Sequence, residues 1–116
     1  MTLRPSLAVI GLAVAALAPA PLLAQAKPTE ATLELYKTKC IACHLADGNS
    51  PIPEMNFANG VWKHGTKVAD LVKVITEGVP GTAMVSFSEQ LTAAEIEALA
   101  RYVRTFDKKL KPEKGK

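Results

Sequence analysis

Cys40-Ile41-Ala42-Cys43-His44 is the stretch of this 116-residue sequence that decides the fold. It has the pattern Cys-x-x-Cys-His, through which haem is attached covalently to protein. Two thiols three positions apart on a helical turn can each add to one of two neighbouring vinyl groups of haem, which gives two thioether bonds. The histidine that follows then lies under the iron and donates an imidazole nitrogen. The spacing therefore predicts one covalently attached haem c, with its iron, held by Cys40, Cys43 and His44.

Three other interpretations of these cysteines remain open at the level of sequence. Cys40 and Cys43 can form a disulfide without any haem, as suits an oxidising compartment. A thioredoxin-like redox motif expects strands around it, and no stretch of this chain alternates convincingly as a strand. A zinc site can count Cys40, Cys43, His44 and His64 as four ligands, although His64 lies 20 residues after His44 rather than in a closing pair.

A single histidine leaves the sixth coordination position of the iron open, and three side chains are candidates for it. Met84 lies in a loop between two predicted helices, 40 residues after His44, and such a loop can wrap to the opposite haem face. Met55 follows His44 by only 11 residues and is expected on the proximal side, while His64 is the third candidate. Methionine also serves as core filler. We favour Met84 as the axial ligand.

The N-terminal segment has the pattern of an export signal. The 22 residues from Pro5 to Ala26 carry no charge, and Arg4 is the only charged residue before them. Ala24-Gln25-Ala26 supplies the small-x-small pattern that a signal peptidase recognises. Residues 1–26 are therefore predicted to be a signal peptide cleaved after Ala26, which places the domain in the periplasm of a Gram-negative cell. An uncleaved anchor is the alternative, but the mature chain is expected to have no membrane span.

Charge divides the mature chain into a domain, residues 27–107, and a tail, residues 108–116. The domain has eight basic and ten acidic side chains, whereas the tail has five lysines and one glutamate. The pI of 9.0 is thus largely a property of the tail. A nucleic-acid-binding protein needs a basic stripe, usually with stacking aromatics, and the domain has none. We therefore exclude nucleic acid as a partner and expect a solvated, frayed tail.

Hydrophobic periodicity predicts three helices and no strands. They run from about 30 to 39, from about 67 to 77 and from 93 to about 106. In the first helix, Leu33 and Tyr36 are expected to face inward. Long irregular stretches separate the helices, and only six aromatic residues follow the leader. Such a thin core suggests that a large apolar cofactor fills the centre.

Capping residues mark the ends of two of these helices. Thr66 is the expected N-cap of the second helix, and Gly78 suits its C-terminal end, where a positive φ is needed. Thr92 and Glu95 form the pattern of a capping box at the start of the third helix. The start of the third helix is thus the best-marked boundary in the chain.

Further residues around the haem motif occur at family-specific positions. These are Tyr36 four residues before Cys40, Asp47-Gly48, Pro53, Trp62-Lys63-His64-Gly65, Gly81-Thr82-Ala83-Met84 and Tyr102. With them, the chain resembles the class I cytochromes c, which are single-haem bacterial electron carriers. The resemblance covers nearly the whole mature domain. It implies an all-α class I cytochrome c fold, in which three main helices and long loops wrap around one haem.

The resemblance also implies roles for individual residues. The carbonyl of Pro53 is expected to accept a hydrogen bond from His44, Trp62 is expected near a haem propionate, and Met84 is expected to ligate the iron. The implied function is electron transport, not enzymatic catalysis, with the iron cycling between Fe(II) and Fe(III). We expect a monomer that meets its redox protein partners transiently. Alternatives are a subunit of a larger dehydrogenase or oxidase, and a haem enzyme or gas sensor with a labile sixth ligand.

Overall fold

A computed structural model describes residues 2, 6, 8–17 and 27–114 and confirms the all-α prediction for them. Within these ranges the chain forms helices and no β-strand. The helices are α1 (Glu30–Lys39), α2 (Ile41–His44), α3 (Val68–Glu77) and α4 (Ala93–Arg104), and a short 3-10 turn spans Pro53–Met55. Three of the four α-helices correspond to the predicted ones. The short helix α2 holds the haem motif itself.

Helix α1 has the predicted bounds, and Tyr36 faces inward as predicted, but Leu33 does not. At its start, Thr29 Oγ1 accepts a hydrogen bond from the Thr32 backbone N–H at 3.2 Å. Thr32 and Tyr36 are only 5% and 2% exposed, whereas Leu33 is 38% exposed. The prediction that Leu33 faces inward is therefore wrong. Thr32 and Tyr36 lie one helical turn apart, and Leu33 is rotated by about 100° from Thr32 around the axis.

Helix α4 forms the middle of the core, because α1 and α3 both pack against it. Its inward stripe is between 0% and 5% exposed and consists of Ile96, Leu99, Ala100 and Val103. The expected capping box is present: Thr92 Oγ1 accepts from the Glu95 N–H at 3.2 Å, and Glu95 Oε2 accepts from the Thr92 N–H at 2.8 Å. The helix ends at Arg104, two residues before its expected end.

Helix α3 begins at Val68, one residue later than it would if Thr66 were its N-cap. Lys67, not Thr66, is the N-cap residue, so the assignment of Thr66 is wrong. The Lys67 N–H donates to Asp70 Oδ2 at 3.0 Å, and the Val68 N–H donates to Glu113 Oε2 at 2.9 Å. Two carboxylates thus satisfy backbone donors that a threonine hydroxyl was expected to satisfy. One of them comes from 45 residues along the chain.

The C-terminal tail lies against the helices as far as it is described, to residue 114. Besides its contact with Val68, Glu113 lies 3.9 Å from Arg104 Nη2, and its carbonyl accepts from Arg101 Nη1 at 3.2 Å. The expectation of a frayed tail is therefore wrong for this part. The inward-turned Glu113 is the tail's only carboxylate, and the tail lysines up to 114 are exposed.

The proposed cleavage site at Ala26 lies outside the described residues. Residues 8–17, the apolar part of the leader, have no regular secondary structure, and their large side chains are exposed. Among the helices that the structure describes, none has both the length and the apolar character needed to cross a membrane.

Candidate functional site

Helix α2 and the residue before it hold the two thiols. The Cys40 N–H donates to the Tyr36 carbonyl at 2.9 Å, and the His44 N–H donates to the Cys40 carbonyl at 3.0 Å. Cys40 is therefore the joint between α1 and α2. Burial, with a smaller effect from Cys43, raises the pKa of Cys40 to about 11. Cys43 is exposed. The two thiols lie one turn apart, and Cys40 is a neutral thiol at pH 7.

The His44 imidazole is held in one tautomer. Its Nδ1–H donates a hydrogen bond to the Met55 carbonyl at 2.7 Å. Because a carbonyl oxygen only accepts, Nδ1 carries the proton and Nε2 keeps its lone pair. Burial lowers the pKa of His44, and the Met55 hydrogen bond opposes this in part. A neutral imidazole with a free Nε2 is the form that binds a metal.

The acceptor of this hydrogen bond differs from the expected one. We expected the carbonyl of Pro53, but the structure gives that role to Met55, two residues later. The Pro53 carbonyl instead accepts from the Asn56 N–H at 3.3 Å and from Asn59 Nδ2 at 3.2 Å. The 3-10 turn explains the difference, because it uses the carbonyl of its first residue to close the turn.

The turn after the haem motif is strained and is held by a side chain. Leu45 has a φ of 62°, in the region that favours glycine. Its carbonyl accepts a hydrogen bond from the Tyr36 hydroxyl at 2.6 Å. Burial raises the pKa of Tyr36, so the hydroxyl remains a donor. Tyr36 thus holds the chain where it leaves His44, besides packing edge-on against Tyr102 at 5.2 Å between ring centroids.

A cavity of about 650 Å³ lies next to the motif. All six predicted site residues line it: Cys40, Cys43, His44, Pro53, Trp62 and Met84. Much of the remaining wall is apolar and includes Leu71, Val74, Ile75, Phe87, Leu99 and Val103. The volume lies within the roughly 300–1,000 Å³ of cofactor pockets. Two thiols, an imidazole and a thioether in an apolar cavity are a donor set that fits haem.

The loop that carries Met84 is closed by backbone contacts. The Val79 N–H donates to the Met84 carbonyl at 2.9 Å, and Thr82 Oγ1 accepts from the Met84 N–H at 3.2 Å. Gly78, with a φ of 71°, makes this possible: a Cβ there would meet the Met84 carbonyl oxygen at 2.7 Å. The positive φ expected at Gly78 is confirmed, and the same glycine lets the loop return against the end of α3.

The competing interpretations fare differently against the geometry. Within 27–114 and the shorter described ranges, no group of three or more His, Cys, Asp and Glu side chains is arranged to hold a metal ion. Cys40 and Cys43 are separate thiols. Met55 and His64 line the same cavity as Met84, so the geometry alone leaves three candidates for the sixth ligand.

Two features of the site were missed at the level of sequence. The Phe57 ring is stacked on the His44 imidazole, with 4.2 Å between ring centroids. Trp62 Nε1 donates to Asp107 Oδ2 at 2.9 Å, which joins the cavity wall to the chain just beyond α4. The partners lie 13 and 45 residues away, and no local pattern identifies them.

Comparisons with known proteins find a family and several solved structures that are similar to this chain. Residues 27–103 match the family model described as cytochrome c oxidase, cbb3-type, subunit III. A solved structure of the KustC0563 c-type cytochrome is 33% identical, with a TM-score of 0.57, and the match covers 66% of this chain and 96% of that one. Cytochrome c6 from the diatom Phaeodactylum tricornutum is 26% identical, with a TM-score of 0.56 and coverages of 68% and 93%.

A further structural match shows the fold alone. It is a chain of the reducing HAO-like protein complex Kustc0457/Kustc0458 of Kuenenia stuttgartiensis, with 24% identity and a TM-score of 0.63. The match covers 75% of this chain but only 47% of that one. Among curated protein sequences, none matches the chain significantly.

Proposed function

The chain belongs to the cytochrome c family represented by the cbb3-type subunit III model and is a class I cytochrome c. We propose that it is a periplasmic electron carrier whose haem iron is held by His44 and Met84. The observation that supports this most is the single cavity lined by both motif thiols, the His44 imidazole and the Met84 thioether. Bound there, haem supplies an iron that exchanges one electron between its ferrous and ferric states.

Each of these side chains has a defined task in the proposal. Cys40 and Cys43 anchor the macrocycle through thioether bonds. His44 gives the iron its Nε2 lone pair, which the Met55 hydrogen bond leaves free. Met84 takes the sixth position, where a soft thioether favours the ferrous state more than a second histidine does. The apolar wall keeps water from the iron, which also favours the less charged ferrous state.

Two protein ligands on one iron favour a carrier over an enzyme. With His44 and Met84 both holding the iron, the haem would offer no open site to substrates or gases, and these two ligands would stay in place in both oxidation states. Little rearrangement is then needed when an electron enters or leaves. Such a protein meets its partners through a small, weak interface and separates quickly.

The rim of the cavity offers such an interface. Ala83 and Val85, on either side of Met84, are exposed, and Val85 keeps 55% of its surface in contact with solvent. Ala42, between the two motif cysteines, is exposed as well. We propose that these small apolar side chains contact redox proteins transiently, with the carrier acting as a monomer. Export to the periplasm is supported by the charge-free leader and by the Ala24-Gln25-Ala26 pattern.

Two measurements on the purified protein test the proposal. Acidified organic solvent is expected to leave haem on the wild-type chain, whereas Cys43→Ala yields extractable haem or no holoprotein. Carbon monoxide is expected to bind the ferrous wild-type protein weakly or slowly. Haem that is extractable from the wild type would disprove covalent attachment. Rapid, tight carbon monoxide binding at neutral pH would instead favour a haem enzyme or gas sensor.

A further inference from the structure

We propose that Phe57 is a positioning residue for the axial imidazole, because its ring fixes the rotation of the His44 ring about its own Cβ–Cγ bond. The observation behind this is a close, nearly parallel pair of rings. The His44 and Phe57 centroids are 4.2 Å apart, and the ring planes are inclined by 16°. The inference rests on the proposed function only for the identity of the group that His44 binds.

A hydrogen bond at one nitrogen does not fix an imidazole by itself. The contact between His44 Nδ1 and the Met55 carbonyl restrains one edge of the ring. The ring can still rock by tens of degrees about its Cβ–Cγ bond, since hydrogen bonds tolerate misalignment of that size. A second flat ring in van der Waals contact with the imidazole face opposes this rocking. Met55 and Phe57 together therefore define both the position and the plane of the ligand.

Phe57 can act in this way because it is itself held firmly. Its backbone N–H donates to the Gly48 carbonyl at 2.8 Å. Two further rings lie beside it in nearly parallel planes: Trp62, with 5.7 Å between centroids and 12° between planes, and Phe106, with 6.2 Å and 5°. Trp62 is in turn hydrogen-bonded to Asp107. A ring with neighbours on these sides cannot turn without displacing them.

Gly48 allows the outer end of this stack to form. A Cβ at Gly48 would lie 2.6 Å from the Phe106 ring, so the close approach of Phe106 to the loop after the haem motif requires glycine. Phe106 also packs against Tyr36 at 5.4 Å and Tyr102 at 5.1 Å between centroids. A chain of ring contacts thus runs from Tyr36 of α1 through Phe106 and Phe57 to the His44 imidazole.

The plane of an axial imidazole determines which iron d orbital it overlaps, and so how unpaired spin is distributed over a ferric haem. Hydrogen bonds and packing around a metal ligand set its orientation and thereby the electronic properties of the metal. The ferric holoprotein therefore carries a direct signature of the imidazole plane. That signature is the pattern of hyperfine-shifted haem-methyl proton resonances, together with the g-anisotropy of the electron paramagnetic resonance spectrum.

The test compares three ferric holoproteins with the wild type. Phe57→Leu removes the flat face at similar volume and is expected to change the order or the spread of the haem-methyl resonances. Phe57→Tyr keeps the ring and is expected to retain the wild-type pattern. Ile96→Val is the control, because Ile96 belongs to the same hydrophobic core and is only 3% exposed but does not line the haem cavity. It too is expected to keep the pattern.

Unchanged resonances in Phe57→Leu, or equal changes in Ile96→Val, would overturn the inference. Should Phe57→Leu fail to retain haem, nuclear Overhauser contacts between the Phe57 and His44 ring protons in reduced wild-type protein decide the matter. Their presence supports the stack, and their absence contradicts it. A wild-type protein that binds no haem contradicts the proposed function, whereas a haem-loaded Phe57→Leu protein with an unchanged spectrum contradicts only the role of Phe57.

Discussion

Trp62 and Asp107 are 45 residues apart in sequence, yet the indole Nε1–H of Trp62 donates to the Asp107 carboxylate at 2.9 Å. Trp62 lines the haem cavity, and Asp107 lies just beyond α4 and is only 4% exposed. The Lys109 backbone N–H donates to the other carboxylate oxygen at 3.0 Å. One buried carboxylate thus ties the cavity wall to the start of the basic tail.

Asp107→Asn is expected to destabilise the holoprotein by about 1.5–3 kcal/mol at neutral pH, the usual contribution of a hydrogen bond to a charged group. The Trp62 hydrogen bond, followed by that from Lys109, lowers the pKa of Asp107 from its ordinary 3.8. The stabilisation is therefore fully present above pH 3.8 and is lost as the pH falls through the lower, folded-state pKa. Denaturant titrations of both proteins from pH 7 to pH 2 measure the difference, and a difference independent of pH would refute this account.

A double-mutant cycle with Trp62→Phe isolates the pair itself. If the two side chains act through their hydrogen bond, the double variant loses less stability than the sum of the two single variants. Additive losses would mean that each residue stabilises the fold through other contacts.

Gly78→Ala is expected to destabilise the protein more than Gly81→Ala. Both glycines have positive φ values, 71° and 76°, so both substitutions introduce backbone strain of about 1–2 kcal/mol. Only at Gly78 would the new Cβ also collide with backbone atoms, those of the returning methionine loop at 2.7 Å. At Gly81 it meets open space. Chemical denaturation of the two holoproteins measures the difference in their stabilities. Equal losses of stability would show that the methionine loop can move to accept the Cβ at Gly78 at little cost.

Met84→Ala is expected to abolish the weak sulfur-to-iron charge-transfer band of the ferric protein and to lower the reduction potential. Met55→Ala is the matched control. It removes the other thioether that lines the cavity but keeps the backbone carbonyl that accepts from His44. The absorption spectra of both ferric variants provide the comparison. Loss of the band in Met55→Ala alone would reverse the assignment of the sixth ligand.

Neutralising Lys108 and Lys109 is expected to change how ionic strength affects oxidation by ferricyanide, an anionic oxidant. These exposed lysines directly follow Asp107, whose partner Trp62 lines the cavity. Lys108→Gln/Lys109→Gln should flatten the dependence more than Lys27→Gln/Lys37→Gln, which removes the same charge elsewhere. Stopped-flow rates between low and high salt make the test. Equal flattening would show that only net charge matters.

Local patterns in the sequence were sufficient for the helices and the haem motif. The Thr92–Glu95 capping box depends on residues three apart, and it forms as expected. The bounds of α1 were also correct, because Thr29 and the helical run after it signal them locally. The Cys-x-x-Cys-His pattern likewise brings both thiols and the imidazole together within five consecutive residues.

Contacts between distant segments could not be read from the sequence. Thr66 was the better local cap, but Glu113 reaches the Val68 N–H from 45 residues away. Which carbonyl accepts the His44 hydrogen bond depends on the 3-10 turn. The turn uses the Pro53 carbonyl internally, so the Met55 carbonyl accepts from His44 instead. Tyr36 was correctly expected to face inward, but Leu33 was not, because the position of α4, and not hydrophobicity, decides that Thr32 is buried and Leu33 is not.

A redox titration of the purified wild-type protein, followed by absorption spectroscopy, tests the central claim most directly. The account predicts one reversible one-electron step between two low-spin, six-coordinate haem spectra, because His44 and Met84 stay bound in both oxidation states. A high-spin spectrum in either state, more than one step, or no haem absorption at all would contradict it.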